Sequence, residues 1–489
     1  MKSFYLRLSR NESVPSGQVA LLLSIFSLSA FFYNAGPASE VATSELDATR
    51  LSKFWGNGAL DVLDHSRRNS SGCMEDIQAC ILMSYVTYHI DGPSARGRLL
   101  ATTATSIARD LRLHRLDANG EDPMNLETNP RVLIEQEVKR RVFWHIASTD
   151  WLHATISGPQ EGMYFIHPSH VKVKLPRDCN DEEIAFGGMN DAMGEPQPTS
   201  MAFYLARVKL AHLCREMADI MPLETAKLMR IPYEHIINLD NRFVEFLSSL
   251  PSFLRFDVDS RGKSKTLETI YPNIPVMRYC ITTAAHSRRF RLHQKFLLRI
   301  TSDRRYGYSR HACLESARVV IQAYADSGKA TDSPSAATST ARMAMAVHYT
   351  HLALTVMVMD LCFNQKEADA EERKAEVRDV MRALELERHI SPLLDQSLNS
   401  LNDILQKHGV QLLDPVASGT NHSLDAGRVN ASDEISPLHP APLEEGINED
   451  WLNMYPSFNE VWQTANQTEM GFDSVTWDDI FSTFDSRPF

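Results

Sequence analysis

Two histidines three positions apart, His348 and His351, are spaced to share a metal ion, because side chains at i and i+3 lie on one face of a helix. No acid or thiol accompanies them nearby, so the expectation is two partly buried polar residues on an amphipathic helix. His311 and Cys313 make a weaker pair. The seven cysteines stand at 73, 80, 179, 214, 280, 313 and 362, and no two are closer than seven positions. That spacing provides neither a CxxC metal pair nor a disulfide framework, and sparse thiols of this kind act as small buried hydrophobes in a reducing compartment. The chain carries no glycine-rich nucleotide loop, no HExxH, no GxSxG and no kinase signature. No catalytic residue, metal ligand or cofactor is therefore assigned to it, and an enzyme is not expected.

The densest charged constellation is Ile134 to Asp150. Glu135 with Lys139 and Glu137 with Arg141 are i, i+4 pairs in the favourable order for a helix. Arg140, Phe143 and Trp144 share a face, which places an arginine stem beside aromatic rings. This pattern ties a helix into a bundle. The alternative, phosphate contact, is opposed by the acids on the same helix, and no run of Lys and Arg reaches the density of a nucleic-acid patch. No DNA-binding residue is assigned.

The elements that must hold these residues read as helix after helix. Segments at 77–90, 94–111, 132–157, 199–220, 234–250, 272–300, 308–328, 340–364, 367–388 and 391–408 have helical spacing or helix punctuation. Tyr164 to Pro176 reads as an isolated extended stretch, and Lys329 to Thr340 as a surface loop. The apolar run Val19 to Tyr33 superficially resembles a signal peptide. It is shorter than the roughly 20 residues of a membrane span, and its apolar faces predict a buried helix; secretion is the alternative.

Charge divides the chain. From Asp414 onward there are 14 acids against two arginines, leaving 48 acids and 48 bases in the body. The expected organisation is a helical domain over 1–410, a disordered linker over 411–450 and an acidic-aromatic tail over 451–489. In the tail, Trp477, Asp478, Asp479, Ile480, Phe481 and Phe484 alternate acids with bulky apolar side chains, and the apolar ones share a face if the segment becomes helical on a partner. That is the pattern of an activation segment; the alternative is a terminal helix docked on its own bundle.

Four segments in order resemble the central homology region of fungal binuclear zinc-cluster transcription regulators. They are "ARDLRLHR" at 108–115, "IEQEVKRRVFW" at 134–144 followed by Asp150, "VKVKLPRDCND" at 171–181, and "RRFRLHQKFLL" at 288–298, together covering about 75–325. The structural motif residues under this resemblance are Arg140, Arg141, Phe143, Trp144 and Asp150. The sequence departs from the family pattern at Ser157-Gly158-Pro159-Gln160 and at Gln294-Lys295-Phe296. It also lacks the six closely spaced cysteines that hold two zinc ions in the family's DNA-binding module, so zinc enters only with an additional N-terminal cluster. The resemblance implies an all-α fold, a large helical bundle of the regulatory-domain type. It also implies a nuclear regulator of a fungal metabolic gene set, plausibly a secondary-metabolite cluster. The implied partners are a coactivator or the transcription machinery through the tail, and a DNA-binding partner or second copy; no membrane is involved, and direct DNA contact is doubtful. The other reading is a DNA-binding-deficient ligand sensor or inhibitory partner of another factor.

Overall fold

The computed structural model describes residues 12–33, 39–92, 94–118, 130–156, 159–186, 197–222, 230–294, 306–329, 343–364, 367–388 and 392–412, with a few isolated positions besides. Among the described residues there are 13 α-helices and no strand. The loop expected at 329–340 falls almost wholly outside them, as does everything after 412, including Trp477, Asp478, Asp479, Ile480, Phe481 and Phe484.

Helices α1 (Ser16–Phe31), α2 (Glu45–Asn69), α3 (Met74–Asp91) and α4 (Ala95–Asp110) open the fold. Their ends follow from local chemistry. The Ser44 hydroxyl accepts from the Asp47 N–H at the start of α2, and the Ser94 hydroxyl accepts from the Gly97 N–H at the start of α4. Gly92 closes α3 at φ 71°, a conformation that favours glycine. The apolar N-terminal stretch does fold as a helix, but it is not buried all round. The buried positions of α1 are mostly small, including Gly17, Ala20, Ser24, Ser27 and Ala30, while Ile25 and Phe32 are exposed. Small residues let the backbones approach: Ser27 donates to the Ser52 carbonyl at 2.8 Å, and a Cβ on Gly56 would meet the Ser27 hydroxyl at 3.0 Å.

After these come α5 (Pro130–His153), α6 (Ala202–Ile220), α7 (Tyr233–Ser249), α8 (Val258–Ile270) and α9 (Ile274–Gln294). The chain then continues through α10 (Gly307–Lys329), α11 (Ala344–Phe363), α12 (Ala370–Glu387) and α13 (Pro392–Lys407). One core gathers residues of α1 to α7 with Ile274, Ile281, Ala285 and Leu292 of α9. The second gathers α10 to α13 around α11, with Phe290 of α9. Helix α11 is long and apolar enough by composition to cross a membrane, and its place in the second core accounts for that: Ala353, Leu354 and Val358 are wholly buried.

Helix α9 is buried on nearly every side although it is rich in arginine. Arg278 meets Glu268 of α8 at 2.6 Å, Arg289 meets Asp240 of α7 at 2.7 Å, and Arg291 meets Glu161 at 2.8 Å. Asp240 also receives the Tyr308 hydroxyl and stands 3.0 Å from the His293 ring. Burial alone would raise the pKa of Asp240, but the bonds from His293, Arg289 and Tyr308 hold it well below the usual carboxylate range. A second buried carboxylate, Asp360 of α11, collects Arg310 of α10 and Arg373 of α12. Full hydrogen bonding makes such buried charges tolerable.

Candidate functional site

Helix α5 carries the charged motif, and its side chains grip the extended segment that follows. Asp150 accepts the N–H groups of Phe165 and Ile166, both at 2.8 Å. The indole N–H groups of Trp144 and Trp151 donate to the carbonyls of Lys174 at 2.7 Å and Ile166 at 2.8 Å. Glu137 accepts from the Arg177 N–H at 3.0 Å and from Arg141 Nε at 3.1 Å, while Arg141 also reaches Asp181 at 2.6 Å. An isolated extended strap has no ladder to satisfy its backbone, so side chains of one helix supply the partners.

Arg140 is nearly buried, and its Nε meets Asp117 at 3.1 Å, within a two-nitrogen grip on that carboxylate. Asp117 also accepts the Lys174 N–H at 2.7 Å. Two backbone bonds join the same region: Lys172 N–H to the His114 carbonyl at 2.8 Å, and Asp117 N–H to the Lys172 carbonyl at 2.9 Å. Burial pushes the Asp117 pKa up, but Arg140 and the Lys174 N–H outweigh it and hold the carboxyl low. Asp150 goes the other way: burial outweighs its two N–H bonds and raises it to about 6.

Four of the motif residues, Arg140, Arg141, Trp144 and Asp150, thus come together on the strap, while Phe143 points into the first core. The Arg140 guanidinium meets Asp117. The expected pairs Glu137–Arg141 at 3.1 Å and Glu135–Lys139 at 2.6 Å both form. Sequence reading had no grounds for Asp117, 23 residues upstream of its partner. It also passed over Trp151. The available signal was that the segments around 114, 140 and 174 keep one order, and the structure places all three in contact.

The other side of α5 presents His145, Thr149 and His153, one turn apart. With Ile81, Ser84, Thr105, Asp150, Gln160 and Phe165 they line a cavity of about 40 Å³, room for a few waters. Burial lowers His145 to about 3 and His153 to about 4, so both rings are neutral near pH 7. Tyr85 of α3 lies with its hydroxyl 3.5 Å from the His145 ring. The paired histidines of α11 do not converge on a shared acceptor: His351 bonds the Ser397 hydroxyl at 2.6 Å. Among the described residues no group of three His, Cys, Asp or Glu is placed to hold a metal.

The family model described as the fungal specific transcription factor domain matches residues 2–244. "Probable transcription factor lepB" of Aspergillus flavus is 37% identical over 503 residues, covering 100% of this chain and 87% of its own length. The chain belongs to the fungal specific transcription factor domain family. "Agnestins biosynthesis cluster transcription factor AgnL11" of Paecilomyces divaricatus is 29% identical over 449 residues, and "Transcription factor TAS2" of Pyricularia oryzae is 32% identical over 319. The chain spans 63% and 39% of the length of those two relatives. The matched family domain runs from before α1 to near the end of α7, so it holds the helix-and-strap joint. It begins and ends earlier than the span of 75–325 read from the sequence, and it takes in the apolar N-terminal helix. Among the family's features present here is the all-α body of a fungal transcription regulator.

Proposed function

We propose that this chain acts in the nucleus to control a fungal biosynthetic gene set, through its helical regulatory body and an activating acidic-aromatic tail. The observation that carries the reading is similarity along the whole chain to a protein named as a probable transcription factor, at 37% identity. The name of a second relative refers to a biosynthesis cluster, which supports the metabolic target. The geometry of the helix-and-strap joint supports a positioning role for the motif arginines: Arg140 is taken up by Asp117, and Arg141 by Glu137 and Asp181. DNA contact is supplied by a DNA-binding partner or by a segment outside this sequence. The tail recruits a coactivator through Trp477, Ile480, Phe481 and Phe484, kept solvated by Asp478 and Asp479.

The test is a reporter assay with residues 414–489 fused to a neutral DNA-binding domain. Activation is expected, and replacing Trp477 and Phe481 with alanine abolishes it. A fusion that leaves the reporter at background removes the activating role of the tail, without touching the family assignment.

A further inference from the structure

The end of α4 and the extended strap bring a set of cations to one edge of the joint. Backbone bonds lay Lys172 against His114 and Asp117, with the Lys172 N–H on the His114 carbonyl at 2.8 Å. On the other side the chain leaves α4 through a single 3-10 turn, Leu113–Arg115. The N–H groups of Arg112 and Arg115 donate to the carbonyls of Arg109 and Arg112, at 2.9 and 3.0 Å. Arg109, Arg112 and Arg115 thus follow one another at three-residue intervals around the end of the helix. All three are exposed, as are Lys172 and Lys174. Among the described residues no carboxylate forms an ion pair with Arg109, Arg112, Arg115 or Lys172. Of the acids beside them, Asp117 is already held by Arg140, and Asp110 is exposed.

The backbone holds this arrangement against a cost. Arg112 has φ 56° and ψ 28°, and among the described residues it is the one non-glycine residue with positive φ. It stands just past the last turn of a helix, where glycine is the ordinary occupant because a Cβ is unfavourable there. A helix C-terminus welcomes a cation, but it does not require one at the left-handed position. Strain of this kind concentrates where a side chain has a task. The charges are felt locally. His114 titrates below the ordinary histidine range, first through burial and then through Arg115, Arg109, His170 and Arg112. Two apolar side chains, Leu111 and Leu175, are exposed on the same two segments.

We propose that this cationic edge is the docking site of the chain's own acidic-aromatic tail, residues 451–489. The charge map supplies the complement. The body balances 48 acids with 48 bases, whereas the chain from Asp414 onward has 14 acids, two arginines and no lysine. Asp473, Asp478, Asp479 and Asp485 meet the guanidiniums, and the aromatic residues among them cover Leu111 and Leu175. A nucleic-acid backbone would answer the charges but leave the two leucines uncovered. Residues 413–450 number 38, and at roughly 3.3 Å each they reach about 125 Å when extended, so the distance from α13 is no obstacle. Tethering keeps the tail at high effective concentration, so individually weak exposed pairs suffice. Docking withholds Trp477 and Phe481 from other partners, and it does not depend on the tail being an activator.

The experiment is zero-length carbodiimide coupling on the full chain at about 50 mM salt, read by mass spectrometry. Because the tail has no lysine, its carboxylates couple to amines elsewhere. Lys172 and Lys174 couple to acids of 451–489 about tenfold more than do Lys263 and Lys265 of α8, which are also exposed. Raising the salt to about 0.5 M removes the difference. The triple variant Arg109→Gln, Arg112→Gly, Arg115→Gln lowers the coupling about tenfold, whereas Arg318→Gln, which breaks an exposed pair with Glu376, leaves it unchanged. Arg112→Gly alone relieves the left-handed backbone, so it melts no lower than the parent and still loses part of the coupling. A mixture of isotope-labelled and unlabelled chains gives products of one isotope only. The proposal is overturned if Lys172 and Lys174 couple no more than the α8 lysines, or couple instead to Glu121, Asp122 or Glu127. It is overturned equally if the folded variants couple like the parent, or if mixed-isotope products predominate, which would give the tail to a second copy. Duplex DNA that binds the parent but not the triple variant, with tail coupling absent, would give the edge to nucleic acid instead.

Discussion

Asp117→Ala cuts the joint between α5 and the strap at its most connected atom pair. Asp117 accepts from Arg140 Nε at 3.1 Å and from the Lys174 N–H at 2.7 Å, and the Arg140 side chain is 6% exposed. Removing one partner of a buried pair costs about 3–5 kcal/mol, because the other charge is left without compensation. Glu137 remains 3.8 Å from Arg140 and softens that penalty, but the Lys174 N–H loses a charged acceptor worth about 1.5–3 kcal/mol. The two effects overlap, and a net loss of about 3–4 kcal/mol is expected. Equilibrium urea unfolding of the full chain reads it, with tryptophan emission as the probe. Release of the strap breaks the Trp144 indole bond to the Lys174 carbonyl, so the folded baseline also shifts. The double variant Asp117→Ala, Arg140→Met loses less than Asp117→Ala alone, since it leaves no orphaned guanidinium. A loss below about 1 kcal/mol, or single-variant losses that simply add in the double, would refute the clamp.

Two further outcomes follow from the other carboxylates. Asp150 titrates near 6 in the fold against an ordinary 3.8, so its stabilising contribution is complete below the lower value and is lost as pH rises through the upper one. Asp150→Asn keeps an oxygen for both N–H groups, so it is more stable than the parent at about pH 7 by about 1–3 kcal/mol and matches it near pH 4; a difference independent of pH contradicts the burial argument. Asp240→Ala removes the carboxylate shared by Arg289, His293 and Tyr308, leaving Arg289 its pair with the half-exposed Glu315, and costs about 3 kcal/mol, with Asp240→Asn milder; a wild-type melting temperature in Asp240→Ala would mean that the network contributes nothing.

Most of the helices were legible because their apolar positions recur with helical spacing and their ends carry Ser94, Asp91-Gly92-Pro93 or similar punctuation. Two were not. Helix α2 buries Ala48, Ser52, Gly56, Ala59, Leu63 and Ser66, a mostly small stripe, while the larger apolar Leu46 and Phe54 face solvent. Helix α8 buries only Ser260 and Ser264, and leaves Val258 and Ile270 in solvent. In the joint, the pairs along α5 could be read because helix geometry fixes them. Asp117 and Asp150 could not be assigned partners, because these lie across a loop or on a strap with no periodicity.

Helix α9 belongs to both cores, giving Ile281 and Leu292 to one and Phe290 to the other. The family match stops at residue 244, so a fragment cut there would keep most of the first core's helices and lose the wall that closes it. The two cores are therefore bound to a common fate. A chimera with a relative, or a protease nick that separates stable pieces, succeeds only where α9 travels whole with the helices on either side of it. The packing itself reaches Val410, far beyond the edge of the matched domain.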